Sequence, residues 1–366
     1  MTRSFKLLAS AAAMIATSAF SLNIAAADKV RQLEVVATLS AETPPGNIAV
    51  GSDGRIFLSI HQFYGKSLRI VELLPDGTTK PYPNENWAYA AQSRESGGLY
   101  GVLGLNIDAN GILWLLDTSG PDHAGRLVGW NTKKEQLHKI IYLAKPVITD
   151  SSFLNDLAVD SKNNAIYIAD TGTASIVVVD LKTGIARRVL KESMSTKAED
   201  IDMVIDEQTI YLNGQPVRMG VNPITIDSNF EYVYYGSMSG TSLYRIATKD
   251  LLDKTLTDQA LDKKVQRYGD KPISDGITMD NSGNVYVTSI TSDAIGYTQA
   301  NGQYKTLVQR DDVSWPDGLA VGLDNYIYGT VNELHRSPVL NNGKDGTQGE
   351  FKVVRFKALS DANTGR

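Results

Sequence analysis

Asp275 and Asp317 each stand before a glycine, in "ISDGI" and "WPDG", and Asn155 and Asn222 hold matching places in "FLNDLAVD" and "GVNPIT". Each precedes a short apolar run that ends in a turn and restarts as a strand. Aligned on the last apolar residue of that run (Val50, Ile107, Val159, Ile226, Met279, Val321), the residue four positions earlier is Gly46, Leu103, Asn155, Asn222, Asp275 or Asp317. Carboxylates gathered at one place are costly unless they are protonated, hydrogen-bonded or balanced by a cation. The recurring position therefore asks what brings these residues together.

The elements around it answer as β-structure. Turns such as Ser52-Asp53-Gly54, Asn110-Gly111 and Ser282-Gly283-Asn284 follow the opening strands, and Asn and Gly accept the backbone angles of tight hairpins. Alternating strands follow, as in Val285-Tyr286-Val287, and then outer strands such as "SIVVVD" and "AIGYTQ". Four strands recurring every 40 residues or more, roughly six times, describe the blades of a β-propeller. The expectation is an all-β, six-bladed propeller, its innermost strands carrying the aligned residues to one end of a central channel. The charged, amphipathic stretch 248–269 reads as a helical excursion between blades 4 and 5, and 351–359 as a closing strand.

Residues 1–27 read as a signal peptide: Arg3 and Lys6, an apolar run from Leu7 to Ile24, then Ala25-Ala26-Ala27. Its removal would leave one domain over 28–366, periplasmic or extracellular and without a stable membrane insertion. That domain has 34 basic against 41 acidic residues, a net charge of −7, and no basic stripe for nucleic acid. There is no cysteine, so stability must come from packing alone. A monomer acting on a small molecule is expected.

The phrases "FLNDLAVD", "YIADTG", "AEDIDMVI", "GVNPIT", "SGTSLYR", "ISDGI", "WPDG" and "VNELHR" occur in order, and over Leu33 to Leu359 the chain resembles the major royal jelly protein and Yellow family. More widely it is similar to gluconolactonases of the senescence-marker type. That second resemblance implies a divalent-cation site in which Asn155 and Asp275 match the family's metal-binding Asn and Asp. The first-blade Glu of that pattern is replaced by Gly46, with Asn47 beside it, and Leu103 stands where a polar group lines the substrate.

Oxygen ligands from Asn155, Asp275, Asp317 and Asn222, with Asp156 in support, would suit Ca²⁺ or another divalent cation. Zinc is disfavoured, because the four histidines include no metal-spaced pair. Two functions follow from the resemblances. One is a cation-dependent hydrolase of a lactone or small ester, with Asp275 and Asp317 at the reacting centre and His335 as base. The other, implied by the Yellow resemblance, is a non-enzymatic binder of organic amines. In either, Asp156, Phe153, Trp315 and Asn47 would line the ligand.

Overall fold

In a computed structural model, which describes residues 33–91, 98–118, 124–349 and 351–365, each restart phrase forms the two inner strands of a four-stranded antiparallel sheet. Six such blades surround a channel. Their innermost strands are Pro45–Val50, Val102–Ile107, Leu154–Asp160, Val221–Ile226, Ile277–Met279 and Pro316–Val321. The proposed leader, residues 1–27, lies outside the described residues.

Period-two alternation explains the ring, because every inner strand is buried on both faces. In blade 2, Leu113 and Leu115 pack with blade 1 residues such as Phe57 and Ile70. The residues alternating with them, Ile112, Trp114 and Leu116, pack with Leu157 and Ile166 of blade 3. Similar apolar clusters fill the other junctions between neighbouring blades. A single sheet would leave one face wet; the closed ring leaves none of these inner faces exposed.

Strands near both ends of the described residues build the last blade. The strand Glu34–Leu39 pairs with Phe351–Lys357, which pairs with Tyr326–Val331 and through it with the innermost strand Pro316–Val321. The segment expected to close the ring is thus the third strand, and the N-terminal strand is the outermost. The helical excursion is also repositioned. Two short helices, α1 (Thr248–Leu252) and α2 (Asp258–Asp262), lie within blade 4, before its own outermost strand Gln266–Asp270. Leu251 and Leu261 are buried beneath them against blades 3 and 4, so this amphipathic stretch covers a blade edge.

Two insertions rise at one end of the channel. Residues 203–217, between blades 3 and 4, form two small hairpins, and residues 332–349 form a long turn inside blade 6. At the other end, Asn363 and Gly365 of the C-terminal tail lie against a second cavity formed by the inner strands. No described helix is long and apolar enough to cross a membrane.

Candidate functional site

Irregular pairing at the start of the innermost strands aims their side chains. The register with the second strand shifts between Pro45 and Ile48, Val102 and Leu105, Leu154 and Asp156, Val221 and Ile224, and Pro316 and Leu319. Such bulges re-aim a side chain that regular pleating would send into a blade interface. Hydroxyls on the second strands stabilise them. Ser59 accepts from Asn47 N and donates to Leu103 O of the next blade; Thr288 accepts from the amides of Asp275 and Gly276; and Thr330 accepts from Gly318 N and bonds Gly46 O across the last junction.

All six aligned residues consequently line one cavity that opens at the insertion end. Asn47, Phe153, Asp156 and Trp315 share its wall. Sequence reading missed others, among them His61 and Phe63 from blade 1, Val217 and Met219 from the end of the insertion and the chain just after it, Met238 from a blade 4 loop, and Leu334 and Leu340 from the blade 6 turn. Those residues come from insertions or loops outside the repeating phrase, so alignment of blade starts could not reveal them.

The floor holds three carboxylates. Asp156 Oδ1 accepts from Asn47 Nδ2 (2.8 Å) and from Leu157 N (2.8 Å). Asp275 accepts from Asn222 Nδ2 at one oxygen and from the Trp315 indole Nε1 at the other (2.8 Å). Asp317 Oδ2 accepts from Asn332 Nδ2 (2.7 Å), a fully buried amide that also donates to Pro45 O. Asn332 lies outside the aligned blade starts, and nothing in its spacing singles it out.

Burial pushes the Asp156 carboxyl up to about 8, with the Asp275 charge adding to the shift. Asp275 is raised to about 6, again chiefly by burial, while its two N–H donors act the other way. Asp317 lies well above the ordinary carboxylate range through burial and the charges of Asp275 and Asp156. No Lys or Arg is among the lining residues, and burial lowers His61 to about 3, so it stays neutral. The floor therefore holds protons that exposed carboxylates would release at neutral pH, and no Lys or Arg on its wall offsets a charge formed there.

Trp315 has φ 50°, a left-handed conformation unusual for a bulky residue and all the more so before Pro316. Its indole N–H fixed on Asp275 and the His335 ring stacked on it (6.1 Å between centroids, 11° between planes) hold it there. His335 is not on the cavity wall. It lies behind Trp315, with Nε2 3.3 Å from Asp206 Oδ2, so the expected base is one ring removed from the ligand space.

A divalent cation does not fit this arrangement as it stands. Among the described residues no three acidic or histidine side chains come together as a metal site. Each Asp275 oxygen already accepts one N–H donor, and those donors bring positive hydrogens close to where a cation would sit. Nor is there room for the missing first-blade acid. A Cβ on Gly46 would lie 2.8 Å from Ser59 Oγ, an atom held by its own two hydrogen bonds, and 3.5 Å from the His61 ring. Gly46→Glu is therefore expected to lower the melting temperature by several degrees and to gain no calcium affinity. Calorimetry of the variant with CaCl₂ checks both outcomes.

Solved propellers share the architecture at low identity. A luciferin-regenerating enzyme is 13% identical, with 92% of this chain and 98% of that one covered at a TM-score of 0.57. A gluconolactonase from Xanthomonas campestris is 13% identical over 91% and 92% of the two chains, with a TM-score of 0.55. Regucalcin from Agrobacterium tumefaciens, a calcium-binding protein, is 13% identical over 92% and 98%, with a TM-score of 0.54. These likenesses establish the fold. No curated protein matches the sequence. Residues 100–360 match the major royal jelly protein family, and the chain belongs to that family.

Proposed function

We propose that this protein is an exported binding propeller whose channel mouth takes a small organic cation, an amine carrying an apolar or aromatic body. One observation carries the reading: Asp156, Asp275 and Asp317 are buried at one mouth with no basic side chain on its wall. Carboxylates so placed either hold protons or await a positive ligand. An ammonium group needs acceptor oxygens without the close ligand set of a metal. Asp156 Oδ2 and Asp317 Oδ1 make no hydrogen bond within the described residues. Above them Phe63, Phe153, Trp315, Met219 and Met238 supply the apolar and aromatic surface that suits the body of such a ligand. The basic, apolar and small-residue segments at residues 1–27 support export.

The competing reading is a divalent-cation-dependent hydrolase of a lactone or small ester. It is favoured by the gluconolactonase and regucalcin likenesses and by Asn155, whose amide also faces the cavity wall without a hydrogen bond within the described residues. Calorimetric titration separates the two. Phenethylamine is expected to bind at pH 8, while 2-phenylethanol, its uncharged analogue, and CaCl₂ do not. Equal binding of amine and alcohol, or no binding of the amine, would overturn the amine reading. Calcium binding accompanied by turnover of a lactone would replace it with the hydrolase.

A further inference from the structure

The paired hairpins over the mouth are built unlike the blades. Val204–Ile205 pairs with Gln208–Thr209, and Tyr211–Leu212 with Gln215–Pro216, so each strand is only two residues long. Hairpins of that size are not stable alone. Their underside supplies part of the answer: Met203, Ile205, Ile210 and Val217 are buried in one cluster with Met238, Trp315 and Leu334. Val217 and Met219 are also cavity wall. At the base, Arg218 bonds Asp202 (2.6 Å) and Asp200 (3.1 Å), tying the two ends of the insertion together.

The tips differ in a way that points to a task. The second hairpin turns on Asn213-Gly214, both at positive φ, the residues for which that conformation is cheapest. The first turns on Asp206 and Glu207, at φ 50° and 63°, where both residues carry a side chain that disfavours it. Asp206 Oδ2 accepts from Arg336 Nη2 (2.9 Å) and lies 3.3 Å from His335 Nε2, joining the hairpin tip to the blade 6 turn. His335 in turn lies flat on Trp315, whose indole is fixed on Asp275 in the floor.

We propose that residues 203–217 are a lid over the binding mouth, that Asp206 is its latch on Arg336 and His335, and that the His335–Trp315 stack joins the latch to the floor. The identity of what enters rests on the amine reading above; the lid itself does not. An ion pair at a partly exposed tip is weak, which suits a contact that must open and close. The chain enters and leaves the insertion at its base, through residues continuous with blades 3 and 4, which leaves the tip as the end that lifts.

The absence of cysteine gives a ligand-free test. Met238 is a buried wall residue, 7% exposed, and Met194 is 81% exposed on the outer surface. Met238→Cys in the otherwise native chain is expected to react slowly with a thiol reagent. Adding Asp206→Asn should raise that rate about tenfold while leaving a Met194→Cys control unchanged.

Amide exchange in Asp206→Asn alone is the second measurement, and it needs no introduced thiol. Ile210 N and Val217 N bond Met203 O and Ile210 O within the lid, and they should exchange faster while blade amides do not. Unchanged exchange at Ile210 and Val217 would overturn the lid. So would faster exchange spread through the blades, which would mean general loosening. Failure of phenethylamine to bind the native protein would reject the amine reading and leave the lid result standing, because neither measurement contains a ligand.

Discussion

Asp317→Asn is expected to weaken phenethylamine binding at pH 8 by between about tenfold and a hundredfold, the usual worth of a charge-assisted hydrogen bond. The substitution is clean in shape. Asp317 Oδ2 accepts from Asn332, and an asparagine oxygen can keep that bond while its nitrogen takes the place of the unbonded Oδ1. What changes is the charge. An ammonium approaching the native floor stabilises ionised Asp156, Asp275 and Asp317, whose pKa values are all raised, so binding should release protons and strengthen as pH rises from 5 to 8. Calorimetry in buffers of different ionisation enthalpy measures that release. Affinity independent of pH in the native protein, or unchanged in Asp317→Asn, would remove the carboxylate floor from the account.

The same exchange at Asp275 would test something else. Both of its oxygens accept N–H groups, from Asn222 and Trp315, so an asparagine there must point its own N–H₂ at a donor. A buried donor left facing a donor costs about 1–3 kcal/mol. Loss of binding in Asp275→Asn would mix lost charge with a displaced Trp315, and through the stacked ring a displaced His335. That is why Asp317 is the better probe of charge, although Asp275 is the more embedded residue.

The blade phrase is local, and that is why it could be read. An Asp or Asn four residues before the end of a strand, then an Asn-Gly or Asp-Gly turn, lies within some 20 residues of sequence, and its repetition implied a shared channel. The closing of the ring was only half legible: 351–359 could be read as a closing strand, but not the N-terminal strand it pairs with. Glu34–Leu39 pairs with Phe351–Lys357 across almost the whole chain, and neither strand carries a mark of its partner. The helical excursion was placed one strand too late for a related reason. Amphipathic periodicity identified α1 and α2 but could not say that a fourth strand of the same blade comes after them.

At the site, the aligned residues and most of their neighbours were visible as a set, whereas Asn332 and the pairing of donor with carboxylate were not. Asn332 and the indole of Trp315 decide which carboxylate oxygens remain open, and that decision belongs to contacts within blade 6 and across the blade 5–6 junction rather than to spacing. His335 shows the limit clearly. Its residue type suggested a base, but one intervening aromatic ring places it on the lid's latch instead.

Asp156→Asn should make the protein more stable at pH 8 and change it little at pH 4. The sign follows from a carboxyl whose pKa is near 3.8 when unfolded and about 8 when folded. Between those values the folded protein holds a proton that the unfolded chain releases, so the stability Asp156 gives in acid is lost as pH rises through that window. Each tenfold difference in proton affinity between the folded and unfolded chain corresponds to about 1.4 kcal/mol. Water entering the mouth will relieve part of the cost of burying the charge, which leaves on the order of 2–4 kcal/mol at pH 8, or about 5 °C in melting temperature. Asparagine keeps the geometry, because its oxygen can accept from Asn47 Nδ2 and Leu157 N as Asp156 Oδ1 does, while its nitrogen replaces the unbonded oxygen. Melting curves of both proteins from pH 4 to pH 8 would show the native one falling toward high pH and the variant staying flatter. Parallel curves would mean that Asp156 ionises freely and that the floor carries no electrostatic strain. A stabilised variant that also binds phenethylamine more weakly would show why the acid is present: it costs the empty fold stability and is relieved when a cation arrives.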